Sequence, residues 1–533
     1  MRGKHCVANK NAKENKQKKV PKFNLGIVFW ASAIIIVGAS LIAMIIPKQF
    51  QAASEAVYAV ISQNFAWFFL LLVLGFGILL IFLALSPYGR IKLGDDDSEP
   101  EFAFWPWIGM LFSSGLGVGL VFFGVAEPMQ HFVEAPFLGG PVQDAEAARI
   151  AMGYTYFHWG ISQWSIFGVA GLAIGYFQYR KNRDGLVSTS LEPLFGFNYN
   201  QKSRNAIDIL AIIATITGMA TSVGLGILQM DGGLNHAFGL PQGPVTQIIL
   251  TVVMITIFIL STVTGLEKGM KFFSTLNMVL ALFLTVFMIF FGPFSFIMES
   301  IVLGIGDYIS NYVSYSLRAE PYNNRDWTRE WTVFYWAWVI AWSPFIGSFV
   351  ARVSRGRTIR EYVAGILIVP PILSFLWVGA LGGTAIYSDL FKNTDIASIV
   401  QEDETRALFE LLNTMPFTTL TSIVAILLIF LFLVTSADSA TFIVSGMSLG
   451  NTENPPIRMK VLWGVLLGVL TIALIIAGGL TSLQAASLLA GLPFAIVLIL
   501  MIFSVLRSMR REPNKALARR RHSDNAKEEH KQY

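Results

Sequence analysis

The amino-acid sequence predicts an all-α integral membrane protein with 12 transmembrane helices. Three observations carry this. Of the 533 residues, 54% are apolar and only 14% are charged, against about 25% charged in an ordinary soluble domain. Apolar runs of roughly 20 residues, enough to cross a bilayer as a helix, recur along the chain. Lysine and arginine alternate in abundance from one connecting segment to the next, as cytoplasmic and outer loops do.

The spans are expected near 25–47, 65–86, 104–125, 150–177, 206–229, 244–265, 270–296, 331–352, 360–386, 417–437, 457–479 and 485–506. With the N-terminus inside, 32 of the 39 Lys and Arg residues fall in inner loops and tails. The outer loops hold Lys48, Arg149, Arg318, Arg325, Arg329, Lys392 and Arg406. This asymmetry predicts a multi-pass cell-membrane protein with both termini cytoplasmic. The net charge of +5 then reflects topology and implies no nucleic-acid partner. Met1 to Lys22 is polar and lysine-rich with no short apolar core after it, so no cleavable signal peptide is expected. The single cysteine, Cys6, excludes an internal disulfide and a Cys-ligated structural metal.

Spans 3 and 8 carry helix-weakening residues. The third contains SSGLGVGLVFFG (Ser113–Gly124) and the eighth AWSPFIG (Ala341–Gly347). Glycine lowers helix stability and proline removes a hydrogen bond. Irregular backbone inside lipid is tolerated where it lines protein or a water-filled cavity. Spans 3–7 begin inside and spans 8–12 begin outside, so the two sets of five have opposite topology. Interruptions in the first helix of each inverted half point to a central substrate site of a secondary transporter. Close packing of the glycines and a simple kink at Pro344 is the competing reading. The expected organisation is a basic cytoplasmic N-tail (1–24), two peripheral helices (25–90), a first repeat (104–296), an interfacial linker helix (297–320), a second repeat (331–506) and a basic cytoplasmic C-tail (507–533), whose charges suit anionic lipid.

Aromatic residues crowd two interior spans. Span 8 holds Trp331, Trp336, Trp338 and Trp342; span 4 holds Trp159, Trp164 and Phe167. Trp338 and Trp342 are four apart and share a helical face. On a continuous helix Trp159 sits about 140° from Trp164 and walls a cavity from another side. Mid-span tryptophan is unusual, since the indole prefers the interface. An aromatic lining suits a quaternary ammonium, which offers no N–H and is attracted by the ring quadrupole. No Asp or Glu is expected within either cluster, which favours a zwitterion carrying its own carboxylate. The backbone amides around Gly115–Gly119, with Ser114, Gly115 and Gly117 as candidate ligands, would meet that carboxylate.

The strings YFHWGISQW, GLGVGLVFFG, TSVGLGILQMDGGLN, EWTVFYWAWVIAWSPFIGSFVARVSRGRTIREY and LVTSADSAT resemble the betaine/carnitine/choline transporter (BCCT) family over roughly 25–506. The resemblance implies a LeuT-like core of two inverted five-helix repeats preceded by two extra helices, a homotrimer, and a substrate box of Trp159, Trp164, Phe167, Trp338 and Trp342. Val339 stands where the family commonly has a tryptophan, and this opens one wall of the box. The resemblance also implies one sodium ion as coupling ion, held by backbone carbonyls of Ser113, Leu116 and Phe432 and the hydroxyls of Thr435 and Ser436, with no cofactor besides. Local bonding of those hydroxyls to their own helix is the competing reading. A second sodium site at Thr215 is weakened by Met219 where a threonine is expected. Gly119 keeps the glycine typical of betaine carriers.

Asp438 is an acid at membrane depth, functional or a cap for a following helix segment. His158, beside Trp159, is read as packing rather than a proton relay. A channel would need a polar pore ring; an enzyme, a catalytic constellation. Neither is visible, and the six histidines show no metal-ligand spacing within a span. The expected function is sodium-driven import of a quaternary-ammonium osmolyte, glycine betaine first; the alternative is sodium-independent or proton-coupled carriage of choline, carnitine or another osmolyte.

Overall fold

The structure is a computed structural model that describes residues 25–510 and 512, apart from 116, 137–142, 197–198, 264–266, 323–325 and 451–453. Cys6 and the rest of the N-tail lie outside that range, as does most of the C-tail.

Among the described residues the architecture is helical, with one isolated bridge between Lys92 and Thr358. In chain order the helices are α1 (Ile27–Ile45), α2 (Pro47–Leu85), α3 (Phe104–Gly115), α4 (Gly117–Val133), α5 (Ala145–Trp159), α6 (Ile161–Gly175), α7 (Glu192–Phe195), α8 (Gln201–Phe238), α9 (Pro244–Val263), α10 (Glu267–Phe291), α11 (Phe294–Ser316), α12 (Phe334–Val353), α13 (Ile359–Lys392), α14 (Ile396–Glu402), α15 (Ala407–Asn413), α16 (Thr418–Ser448) and α17 (Ile457–Met509). Helix starts follow local chemistry. Asp144 and Asn200 accept from backbone N–H groups at the starts of α5 and α8. Thr358 and Glu361 form a reciprocal capping box on α13.

Ten helical segments of the described chain are long and apolar enough to cross a membrane. The expectation was twelve. The difference lies in two places. The third expected span is helical on both sides of Leu116, as α3 and α4 of 12 and 17 residues, and Leu116 itself lies outside the described residues. The eleventh and twelfth both lie in α17, which is two helices in sequence across a kink where the helical dihedrals fail at Gly478 and at Gly479 (φ 57°, ψ −131°). That conformation is open to glycine and strained for other residues. The linker α11 is a 23-residue helix and is not among the ten.

Two expectations about helix breaks are corrected. Span 8 is helical straight through Pro344. Proline withholds the N–H that Ile340 O would normally receive, and the Ser343 hydroxyl donates to that oxygen instead, at 2.7 Å. Span 4, expected to be continuous, is broken at Gly160 (φ −94°, ψ −147°) between α5 and α6. A Cβ there would lie 2.5 Å from Tyr156 O and 2.7 Å from the Tyr308 hydroxyl. That hydroxyl, from α11, accepts from the Ile161 N–H at 2.9 Å.

α12 is the central element, packed on α6, α8 and α17. Its neighbours reach it through glycine. A Cβ on Gly491 of α17 would sit 2.5 Å from Ala337 O, and one on Gly218 of α8 would sit 3.1 Å from the Trp342 nitrogen. Small residues let membrane helices approach this closely, where dispersion rather than water drives association.

The end of α17 is tied to the turn after α6. Glu512 pairs with Arg180 and Lys181 and accepts from the Tyr176 hydroxyl, which also contacts Ser508. Burial alone would raise the Glu512 carboxyl, but its bonds and charges from Lys181 and Arg180 take it down to about 2 from an ordinary 4.5. A carboxyl lowered on folding stabilises fully above its ordinary value and loses that contribution as pH falls toward about 2. A spin label at Arg510 is therefore expected to gain mobility over that window. In Glu512→Gln the label should already be mobile at pH 7 and show no such step; an immobile label at pH 7 in that variant would remove the latch.

Candidate substrate site

The structure brings the aromatic residues of spans 4 and 8 together in two tiers along α12. In the first, Trp159 from the end of α5 and Trp338 approach edge to face, ring centres 6.5 Å apart. Gly119 of α4 faces both: a Cβ there would lie 2.4 Å from Trp338 Cη2 and 3.2 Å from Trp159 Cη2. In the second, Phe167 of α6 meets Trp342 at 5.7 Å, and Gly117 is the facing residue, its Cβ position 3.8 Å from Trp342 Cη2. Trp338 and Trp342 stack at 6.1 Å and 10° and join the tiers. Trp164 packs edge-on to Phe167 at 5.7 Å. All five rings are buried. Ser113, Ser114 and Gly115 end α3, but their side chains, and Leu116 entirely, lie outside the described residues.

The indole N–H groups explain how the rings are held. Trp338 donates to Gly218 O and Ser222 Oγ at 3.3 and 3.2 Å, and Trp342 to Met219 Sδ. Trp159 donates to Glu127 Oε2 at 2.9 Å. Trp164 Nε1 has no partner among the described residues. Met219, which weakened the second sodium site, therefore serves as an anchor, while the Thr215 hydroxyl donates to Ala211 O of its own helix.

Glu127 corrects the expectation that no acid adjoins the aromatic clusters. It is fully buried on α4, two residues past the expected end of span 3. Its Oε2 also accepts from the Tyr335 hydroxyl at 2.5 Å, and its Oε1 faces His158 Nδ1 at 2.6 Å and His131 Nε2 at 3.3 Å. The ligand-capable atoms of Glu127, His131 and His158 lie within 4.8 Å of one another. Sequence spacing hid this, because the histidines sit on different helices. His158 is saturated: it stacks on Tyr335 (4.7 Å, 9°) and its Nε2 contacts Thr332 Oγ1 at 2.9 Å.

The oxygen set expected to hold sodium is partly engaged. Thr435 Oγ1 lies 2.9 Å from Leu431 O and 3.2 Å from Phe432 O of its own helix. It accepts from Asn277 Nδ2 at 3.1 Å. The buried Asn277 Oδ1 has no partner among the described residues; sequence reading missed this residue. Ser436 Oγ lies 3.7 Å from the Gly117 Cβ position, which sets α16 against the start of α4. Asp438 sits inside continuous α16 and accepts from the Thr262 hydroxyl at 3.1 Å, so it caps no helix.

The family profile described as BCCT, betaine/carnitine/choline family transporter, matches residues 27–514. The chain belongs to the BCCT family. It is thus a multi-pass membrane transporter. Relatives within reach include the ectoine/hydroxyectoine transporter of Virgibacillus pantothenticus, 48% identical over 489 residues that make up 92% of this chain and 97% of that protein. The glycine betaine transporter OpuD of Bacillus subtilis is 43% identical over 492 residues, 92% of this chain and 95% of that one. The osmo-dependent choline transporter BetT2 of Acinetobacter baylyi is 37% identical over 502 residues, 93% and 73% of the two chains.

Proposed function

We propose that this BCCT protein imports a small zwitterionic osmolyte with a quaternary-ammonium head, glycine betaine first, driven by sodium. The observation that carries the reading is the two-tier set Trp159–Trp338 and Phe167–Trp342 converging on Gly119 and Gly117. Buried aromatic faces attract such a head by about 2 kcal/mol or more per desolvated contact. The Trp164 N–H, without a partner among the described residues, and the glycine-rich backbone at Gly117 are suited to its carboxylate. In this reading the helices make twelve crossings of the cell membrane: α1 and α2, then two inverted sets of five, the LeuT-like arrangement, with α11 along the outer surface, both termini cytoplasmic and three copies assembled.

Ectoine is the second reading. It rests on Val339, which replaces an indole with a small buried side chain, and on the 48% identity to an ectoine/hydroxyectoine transporter. Competition between labelled betaine and unlabelled ectoine, choline and carnitine in proteoliposomes ranks these substrates; indifference to all four defeats the proposal.

Sodium would bind between α3 and α16 through the carbonyls of Ser113, Leu116 and Phe432 and the hydroxyls of Thr435 and Ser436. Thr435 Oγ1 donates within its own helix, to Leu431 O or Phe432 O, and keeps a lone pair for an ion. Uptake is expected to follow inward sodium and an inside-negative potential, at about 2.3 kcal/mol per net charge per 100 mV. Thr435→Ala with Ser436→Ala should raise the half-saturating sodium concentration at least tenfold. Full uptake in sodium-free, pH-clamped vesicles would replace this mechanism with exchange or proton coupling.

A further inference from the structure

The box holds a cation without a carboxylate on its wall, yet a buried carboxylate stands directly behind it. We infer that Glu127 is the counter-charge and positioning residue for the cationic head, acting through the indole of Trp159. This rests on the quaternary-ammonium reading of the site.

Glu127 receives four donors: the Trp159 indole and Tyr335 hydroxyl on Oε2, and the two histidines on Oε1. We assign the proton of the 2.6 Å contact to His158 Nδ1, which leaves Glu127 ionised and Nε2 to accept from the Thr332 hydroxyl. His158 is then neutral, and its Nδ1 has no lone pair for a metal ion. With His131 likewise donating from Nε2, the cluster carries one net negative charge and four neutral donors. A buried carboxylate is tolerated when its lone pairs are taken up in this way. Its charge is balanced by no cation in the cluster.

That charge is aimed at the box. Trp159 Nε1 touches Glu127 while Cη2, at the other end of the same ring system, faces Gly119 and Trp338. Donating an N–H to an anion drives electron density onto the indole and deepens the negative potential of its face. The indole also spaces the carboxylate from the substrate, so no hydrogen-bonding acid lies on the wall. A trimethylammonium, which cannot hydrogen-bond, loses nothing by this arrangement. A small hydrated cation would gain little from it. Across the hydrogen bond, the indole and the contact beyond it, about 8–12 Å, an effective dielectric of about 20 makes a unit charge change affinity by roughly ten- to thirtyfold. Tyr335 connects the same carboxylate to α12, so the charge also fixes Trp159 relative to Trp338.

The test separates charge from shape. Glycine betaine and its carbon isostere 3,3-dimethylbutanoate have the same outline, and only the first bears a cation. Their affinities are measured by tryptophan fluorescence on purified full-length protein. Wild type is expected to favour betaine, and Glu127→Gln to shrink the betaine-to-isostere ratio by ten- to thirtyfold. A purely structural role would weaken both ligands equally and leave the ratio unchanged, which overturns the inference. Glu127→Asp keeps the charge and should hold the ratio within about threefold of wild type whatever happens to absolute affinity. Should Glu127→Gln not purify folded, a collapsed ratio in Glu127→Asp overturns the inference by itself. If wild type does not bind betaine, the quaternary-ammonium reading has failed and this inference falls with it. If wild type discriminates and the variants do so equally, this inference alone is overturned.

Discussion

Gly119→Ala is expected to abolish transport while the protein still folds and inserts. The added Cβ would lie 2.4 Å from Trp338 Cη2 and 3.2 Å from Trp159 Cη2, and carbon atoms do not pack that closely. Neither ring can withdraw freely. Trp338 is bonded through Nε1 to Gly218 O and Ser222 Oγ, lies parallel to Phe334 at 5.8 Å, and stacks on Trp342. Trp159 is held by Glu127. Overpacking of this kind costs about 1–3 kcal/mol. Here that strain is concentrated on the two rings that would clasp the cation, so uptake should fall at least a hundredfold. Gly109→Ala on α3 is the control: its Cβ position has no neighbour within 4 Å, and alanine favours the helix. Labelled-betaine uptake, with size-exclusion profiles of both variants, decides the matter. Near-normal uptake by Gly119→Ala would mean that the rings do not clasp the substrate.

The comparison of sequence with structure turns on what local chemistry can encode. Apolar length located the membrane-length helices because it acts within one segment. The convergence of Trp159, Phe167, Trp338 and Trp342 was legible because mid-span tryptophan has few other reasons to be there. The helix breaks were not legible. Pro344 is a strong local signal for a break, and Ser343 cancels it by donating to Ile340 O. Gly160 is a weak local signal, and Tyr308, about 150 residues later, makes the break there possible by accepting from Ile161. Glu127 escaped notice because the expected span ends at Val125, two residues short of the carboxyl. Its neighbours His158 and Tyr335 come from two other helices. A buried acid one turn before a histidine, followed by proline, was the available clue. Asn277 carried none, since its relation to Thr435 exists only after α10 and α16 pack.

Trp164→Leu is expected to lower betaine affinity at least thirtyfold, and Trp164→Phe to separate binding from stability. Leucine retains apolar bulk but loses the π-face, worth about 2 kcal/mol to a desolvated cation. It also loses the edge contact with Phe167, 5.7 Å away. Phenylalanine keeps a face and removes only the N–H. That N–H is buried without a partner among the described residues. An unsatisfied buried donor costs about 1–3 kcal/mol, so its removal should stabilise the empty transporter. If the same N–H meets the substrate carboxylate, removing it must weaken binding. Trp164→Phe is therefore expected to raise the melting temperature without ligand and to shrink the rise that betaine produces, because ligand stabilisation follows affinity by mass action. A purely structural tryptophan would move both quantities downward together. Thermal unfolding with and without betaine distinguishes the two. A Phe variant that binds betaine as wild type does, with an unchanged melting temperature, removes Trp164 from the carboxylate end of the site.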